Sequence, residues 1–186
     1  MDFDKVINSR RSVHNFSSKR VKWSSVLEAI DTTRKAPFAG NNNVLKFIIV
    51  EKKETKDKIS KLSEQYWMAD AGIIVVACSD DKELEKVYYE GGINYARQQA
   101  GAAIENFLLK ITALGLSSCW VGSYQDELVK QLLKIPEHIT IEAILPVGYE
   151  NGKTKVPKKV SLENIISWEK WNNRNRPTGT HEPQTM

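Results

Sequence analysis

The sequence predicts an α+β or α/β sandwich folded as one domain. Two observations carry this. Helical and strand-like apolar periods alternate along the chain, with roughly four apolar strand runs. One long stretch of helical spacing, free of proline, stands in the middle and hands over to a strand at a glycine. The 186 residues are enough for one well-buried domain and too few for two of ordinary size. Hydrophobic residues at 41% and charged residues at 27% exclude the disordered and fibrous classes. The net charge of +4 is spread along the chain, unlike the clustered stripe of a nucleic-acid binder, and favours a phosphate-bearing ligand. The longest apolar run, Ile73 to Cys78, has a strand's length and cannot span a bilayer. No signal-peptide pattern opens the chain, so a cytoplasmic protein is expected. Cys78 and Cys119 sit in apolar runs with neither CxxC nor Cys/His spacing, which predicts buried reduced thiols and no metal site.

Taken in order, Asp2 or Asp4 caps a short helix bearing Val6 and Ile7. Ser9 to Phe16 follows, where Arg10, Arg11, Ser12 and His14 could surround a phosphate, because the guanidinium fork pairs bidentately with its oxygens. A solvated basic turn is the plainer alternative. Ser25-x-x-Glu28 forms a capping box for a helix carrying Val26, Leu27 and Ile30 that ends before Pro37. Residues 36–43 form a turn-rich loop whose asparagines suit either plain turn geometry or hydrogen bonds to a heterocycle's edge. A strand at Leu45 to Val50, a charged helix from about Thr55 to Gln65 and the strand Ile73 to Cys78 come next. Residues 80–90 read as a surface helix or flap ending in Tyr88 and Tyr89, which either line a pocket mouth or simply pack.

The central stretch runs from Gly91 to Tyr124. Ile93, Ala96, Ala100, Ala103, Ile104, Phe107, Leu108, Ile111 and Leu114 step by threes and fours. A second face, Gly92, Gln99, Ala102, Ala103 and Asn106, is small or amide-bearing and admits another backbone or a flat ligand. Gly115 stands where a left-handed cap is wanted, and Leu116, Cys119, Trp120 and Val121 read as a buried strand closing at Gly122-Ser123. A core helix and core strand without any ligand satisfy the same pattern. Asp126 to Leu133 is a short amphipathic helix, Ile139 to Val147 a strand, and a last helix carries Leu162, Ile165, Ile166 and Trp168. The domain is expected over residues 1–171, with 172–186 a flexible or partner-bound tail that includes a solvated His181. No GxGxxG follows a strand, no GxxxxGK[ST] is present, and no nucleophilic triad emerges.

Four motifs in order resemble the FMN-dependent nitroreductase family. Arg10-Arg11-Ser12-Val13-His14-x-Phe16 is similar to its RRSxRxF signature, and Ala36-Pro37 through Phe47 to APSxxNxQPWxF. Tyr95 to Tyr124 resembles its central helix and GLGxCWxG strand, and Leu145-Pro-Val-Gly-Tyr149 its closing strand. The likeness covers residues 3–171. It implies a three-layer α/β/α sandwich with a central, mostly antiparallel sheet, and an intertwined homodimer holding two FMN molecules at its interface. On the matched positions it implies that Arg10, Arg11, Ser12 and His14 hold phosphate and ribityl chain, helped by Lys159. Pro37, Asn41 and Asn43 would lie along the isoalloxazine, contributed by the other subunit. Trp120, Val121 and Gly122 would pass behind the ring, with the Gly122 amide donating toward flavin N5.

Departures from the pattern are His14 for Arg or Lys, Phe38 for a serine, Asn43 for a glutamine and Val44-Leu45 for Pro-Trp. His14 would make its phosphate contact depend on pH near neutrality. Lys158-Lys159-Val160-Ser161 lacks the arginines common there, leaving Lys159 as the cation. The implied activity is ping-pong transfer from NAD(P)H through flavin N5 to a quinone, nitroaromatic or other electrophilic acceptor, with Tyr88 and Tyr89 gating the acceptor. No nucleic acid and no membrane are expected as partners. Rival readings are specialised flavin chemistry, such as FMN cleavage or reductive dehalogenation, and a flavin-binding module without turnover.

Overall fold

A computed structural model of the chain describes residues 2–177, in two compact units that part between Thr154 and Lys155. The sequence boundary near residue 171 falls inside the second unit, and residues 178–186, with His181, lie outside the described residues. In the first unit the order is α1 (Phe3–Ser9), α2 (Trp23–Thr33), β1 (Leu45–Val50), α3 (Lys53–Leu62), β2 (Ile73–Ser79), α4 (Asp81–Tyr88), α5 (Gly91–Ala113), β3 (Ser117–Ser118), α6 (Asp126–Leu133) and β4 (Thr140–Gly148). The strands form one sheet in the order β1-β2-β4-β3, with every strand pair antiparallel.

The sheet is covered on both faces, which makes β2 apolar without alternation although its neighbours are antiparallel. Every residue of β2 is buried. Ile73, Val75 and Ala77 pack with Val26 and Ala29 of α2 and with Ala100, Ile104, Phe107 and Ile111 of α5. Ile74, Val76 and Cys78 point the other way, to Ile59 of α3 and Val129 of α6. Each large side chain so buried is worth about 2 kcal/mol of transfer free energy, so the two apolar stripes of one strand hold the three layers together.

Glycine shapes the central helix twice. Gly92 lies against α4, where a Cβ would stand 2.5 Å from the Glu85 nitrogen, so the small face of α5 is met here by a backbone of its own chain. Gly115, at φ +74°, ends α5 with two further bonds: its own N–H donates to Thr112 O, and the Leu116 N–H to Ile111 O, both at 3.0 Å. These are the paired bonds of a Schellman cap.

Three expectations are corrected. The Ser25 capping box does not form: α2 begins at Trp23, Lys22 is the N-cap, and the Ser25 N–H donates to Lys22 O inside the first turn. Val21, two residues ahead of the helix, is buried in the core.

The strand expected from Leu116 to Val121 is broken. Ser117 and Ser118 pair with Gly148 and Val147, and Val121 pairs with Ile144 in the same register, but Cys119 and Trp120 carry no ladder. That register sets Cys119 opposite Pro146, which has no N–H to donate. Trp120 is consequently 39% exposed rather than buried.

The last helix is a single 3-10 turn, Leu162–Asn164, with Leu162, Ile165 and Trp171 exposed. A short helix needs an apolar face packed on something, and within this unit these side chains have no such cover.

Candidate functional site

The basic motif is stitched to the sheet by backbone bonds. The Val13 N–H donates to Ser118 O at 3.2 Å, Ser17 N–H to Tyr149 O at 2.8 Å and Asn151 N–H to Asn15 O at 2.9 Å. Residues 12–17 therefore run beside β3 and the end of β4, with Ser12 paired in parallel to Ser118. Arg10 reaches Glu105 of α5 with 3.3 Å between Nε and Oε1. Arg11 pairs with Glu150 and donates to Ser9 O at 3.3 Å, while its buried Nε has no partner. The Ser118 hydroxyl, in a residue only 5% exposed, is likewise buried and unpartnered. Unmade hydrogen bonds on buried donors are costly, so each of these two groups, one in the basic motif and one in β3, is suited to an acceptor such as a phosphate oxygen. Ser118 escaped the sequence reading because a serine in a strand carries no signal of its orientation.

His14 stands with its ring edge-on to Trp67, centroids 4.6 Å apart, and its Nε2 lies 3.4 Å from the Cys119 sulfur. Burial pushes the Cys119 thiol above its usual range, and drives that of Cys78 up to about 11. Both are free and buried. Among the described residues no cluster of three or more His, Cys, Asp or Glu side chains could hold a metal ion.

A second feature is a concavity of about 490 Å³ walled by Pro37, Phe38 and Ala39 on one side and by Tyr95, Gln98, Gln99 and Ala102 of α5 on the other, with Tyr88 of α4 at one end. Tyr88 and Tyr95 meet edge to face at 5.0 Å. Tyr89 ends α4 at φ +51° and is 80% exposed, outside this wall. Tyr95, Gln98, Ala102 and Glu105 step by 3, 4 and 3 residues along α5, so Arg10's partner lies about one helical turn, roughly 5 Å, beyond the concavity on the same face. Sequence reading missed Tyr95 and Gln98 as lining residues, although that spacing was there to find.

Of the loop asparagines, Asn41 takes left-handed geometry at φ +56° and Asn43 accepts the Leu45 N–H at 3.0 Å through Oδ1. Val121 exchanges both backbone bonds with Ile144, and Gly122 is exposed with open space where a side chain would stand. Lys159 lies in the second unit and is exposed.

The helix carrying Tyr88 is anchored at its first turn. Asp81 and Glu142 both pair with Arg97, and Thr140 and Ser79 donate their hydroxyls to the carboxylates. Glu142 is the extra residue of a bulge in β4, between Ile141 opposite Cys78 and Ala143 opposite Ala77. Burial pushes the Asp81 carboxyl up, but the hydrogen bonds from Ser79, Arg97 and Thr140, with the charge of Arg97, hold it below the usual carboxylate range.

A model of the Nitroreductase family matches residues 7–65 and 59–149. A protein of Archaeoglobus fulgidus named "Putative NADH dehydrogenase/NAD(P)H nitroreductase" is 31% identical over 153 residues, covering 78% of this chain and 83% of that one. The FMN reductase (NAD(P)H) of Bacillus subtilis is 22% identical over 190 residues, covering 94% of this chain and 76% of that one. Among solved structures, a nitroreductase family protein from Clostridium difficile 630 superposes with a TM-score of 0.81 at 25% identity, covering 92% of this chain and 100% of that one. By the family-model match over most of its length and by its identity to the Archaeoglobus fulgidus relative, the chain belongs to the nitroreductase family.

Proposed function

We propose that this NAD(P)H-dependent oxidoreductase holds FMN and delivers reducing equivalents to a quinone, nitroaromatic or other electrophilic acceptor, donor and acceptor using one place in turn. The observation that carries the flavin reading is the pair of buried, unpartnered donors, Arg11 Nε in the basic motif and Ser118 Oγ in β3. Their chemistry fits a phosphate. Arg10, Arg11, Ser12 and His14 would hold the phosphate and ribityl chain by charge-assisted hydrogen bonds. Pro37, Asn41 and Asn43 would face the isoalloxazine, Trp120 and Val121 would back it, and the open Gly122 amide would donate toward N5. When bound, FMN supplies the electron transfer, and the chain supplies binding, orientation and charge. Tyr88 serves as a wall for the acceptor, with Tyr89 at the mouth.

The reading extends to a homodimer in the cytoplasm. Phe3 and Ile7 of α1 and Trp23 and Leu27 of α2 are large apolar side chains left exposed in the single chain, which supports burial against a second copy. Among the described residues no helix is long and apolar enough to cross a membrane.

The visible spectrum of the purified protein, followed by anaerobic mixing with NADH and separately NADPH, tests the proposal. A flavin band near ~450 nm that either nucleotide bleaches is expected. A protein that stays colourless after reconstitution with FMN would sink it.

A further inference from the structure

We propose that Gln99, which the flavin reading leaves unassigned, is a positioning residue that sets the shape of the Pro37–Ala39 wall. Its side chain lies in the middle of α5 and the residue is 4% exposed. Oε1 accepts the Ala39 N–H at 3.2 Å, and Nε2 donates to Asn42 O at 3.3 Å. These two groups bracket a 3-10 turn, Ala39–Asn41, in which Gly40 and Asn41 take φ of +57° and +56°. Two successive left-handed residues have no regular ladder to hold them. Inside the turn the N–H of Asn41 donates to Phe38 O and that of Asn42 to Ala39 O, both at 3.0 Å. The outward-facing Ala39 N–H and Asn42 C=O take the carboxamide instead.

Only a carboxamide matches both ends, because it offers an acceptor to the N–H and a donor to the C=O at once. Glutamate would keep the first bond and set a lone pair against the second. Leucine would lose both. The helix beneath is rigid, with Ala96, Ala100 and Ala103 all buried, so the loop takes its position from α5. Pro37, Phe38 and Ala39 are thereby held across the concavity from Tyr95, Gln98 and Ala102. Gln99 itself lines the concavity, but with Oε1 and Nε2 both engaged by the loop it acts on a ligand through this wall.

The assignment of the wall to a flavin and acceptor site rests on the function proposed above, and the experiment separates the two. Gln99→Leu and Gln99→Glu are made in the full chain, with Ser60→Ala as a control that loses a different buried hydrogen bond, Ser60 Oγ to Gln65 O at 2.8 Å. Amide exchange over residues 36–43 is followed by mass spectrometry, and FMN affinity by quenching of flavin fluorescence. Gln99→Leu should speed exchange in that segment and weaken FMN binding, each about tenfold. Gln99→Glu should change both readouts at least as much, because it sets a buried carboxylate against the Asn42 carbonyl, and Ser60→Ala should lower the melting temperature while changing neither readout.

A Gln99→Leu protein that melts earlier, with exchange and FMN affinity both at the parent level, overturns the proposal. So does faster exchange with unchanged FMN affinity. If the parent takes up no FMN at all, the proposed function falls. The exchange result by itself then decides whether Gln99 shapes the wall: faster exchange confined to 36–43 upholds it, and unchanged exchange overturns it.

Discussion

Arg11 and Arg97 sit at similar depth, with side chains 26% and 38% exposed, and each pairs with a glutamate more buried than itself. Their surroundings differ in saturation. Arg97 meets both oxygens of Asp81, one of Glu142, and the hydroxyls of Ser79 and Thr140. Arg11 has Glu150 and one carbonyl, and keeps a buried Nε without a partner; the Ser118 hydroxyl of β3 is also buried and unpartnered. A satisfied network holds structure together and has no capacity left for a ligand. An incomplete one in an otherwise well-packed protein points to a group that completes it.

Four experiments test this contrast. The double variant Arg10→Ala/Arg11→Ala should weaken FMN binding by about 100-fold, the scale of two charge-assisted contacts, and lose flavin on gel filtration. Full retention would remove the phosphate assignment. Its melting temperature should fall only modestly, because Glu150 still accepts the Thr154 N–H.

Arg97→Ala should behave in the opposite way. Glu142, 7% exposed, would be left without its cation, at a cost of about 2 kcal/mol, less than for a fully buried pair because Arg97 is partly exposed. Urea unfolding measures this. Flavin should stay bound, and loss as complete as in the double variant would erase the distinction between the two arginines.

Ser118→Ala removes a buried hydroxyl that has no partner in the chain. FMN affinity should drop about fivefold, roughly 1 kcal/mol, while the flavin-free protein keeps or slightly gains stability, since no bond within the chain is lost. Falling stability without flavin would show that the hydroxyl is bonded within the chain after all.

The smallest effect lies in the acid limb of stability. Burial pushes the Asp81 carboxyl up, but its hydrogen bonds and the charge of Arg97 hold it below its unfolded value of roughly 4. Its contribution is therefore complete above that value and lost as the pH falls through the lower folded one. Asp81→Asn should flatten the fall in melting temperature as the pH drops below about 4 and leave flavin binding unaltered. An unchanged acid limb would mean that Asp81 is not stabilised in the fold.

Much of this was legible in the chain itself. β1, β2 and α6 lie within a residue of the stretches their patterns marked, because each pattern reflects burial of whole elements. Gly115 announced its cap, since only a residue free of Cβ strain takes φ +74° readily. The order of Arg10-Arg11-Ser12, the 36–43 loop and the central helix was enough to indicate the family, because local backbone chemistry recurs as local sequence.

Pairing across the chain was not legible. That Pro146 stands opposite Cys119, breaks the edge strand and leaves Trp120 partly in water depends on a register between segments far apart in sequence. The bulge at Glu142, the inward turn of Lys56 to the carbonyl of Gly72 at 3.3 Å, and the grip of Gln99 on a loop some sixty residues earlier have the same origin. A sequence states which side chains want burial or a partner within one turn or one pleat. Which distant partner each one meets, and which donors are left with none, is decided only when the layers close, because side-chain hydrogen bonds form between whatever groups packing brings within reach.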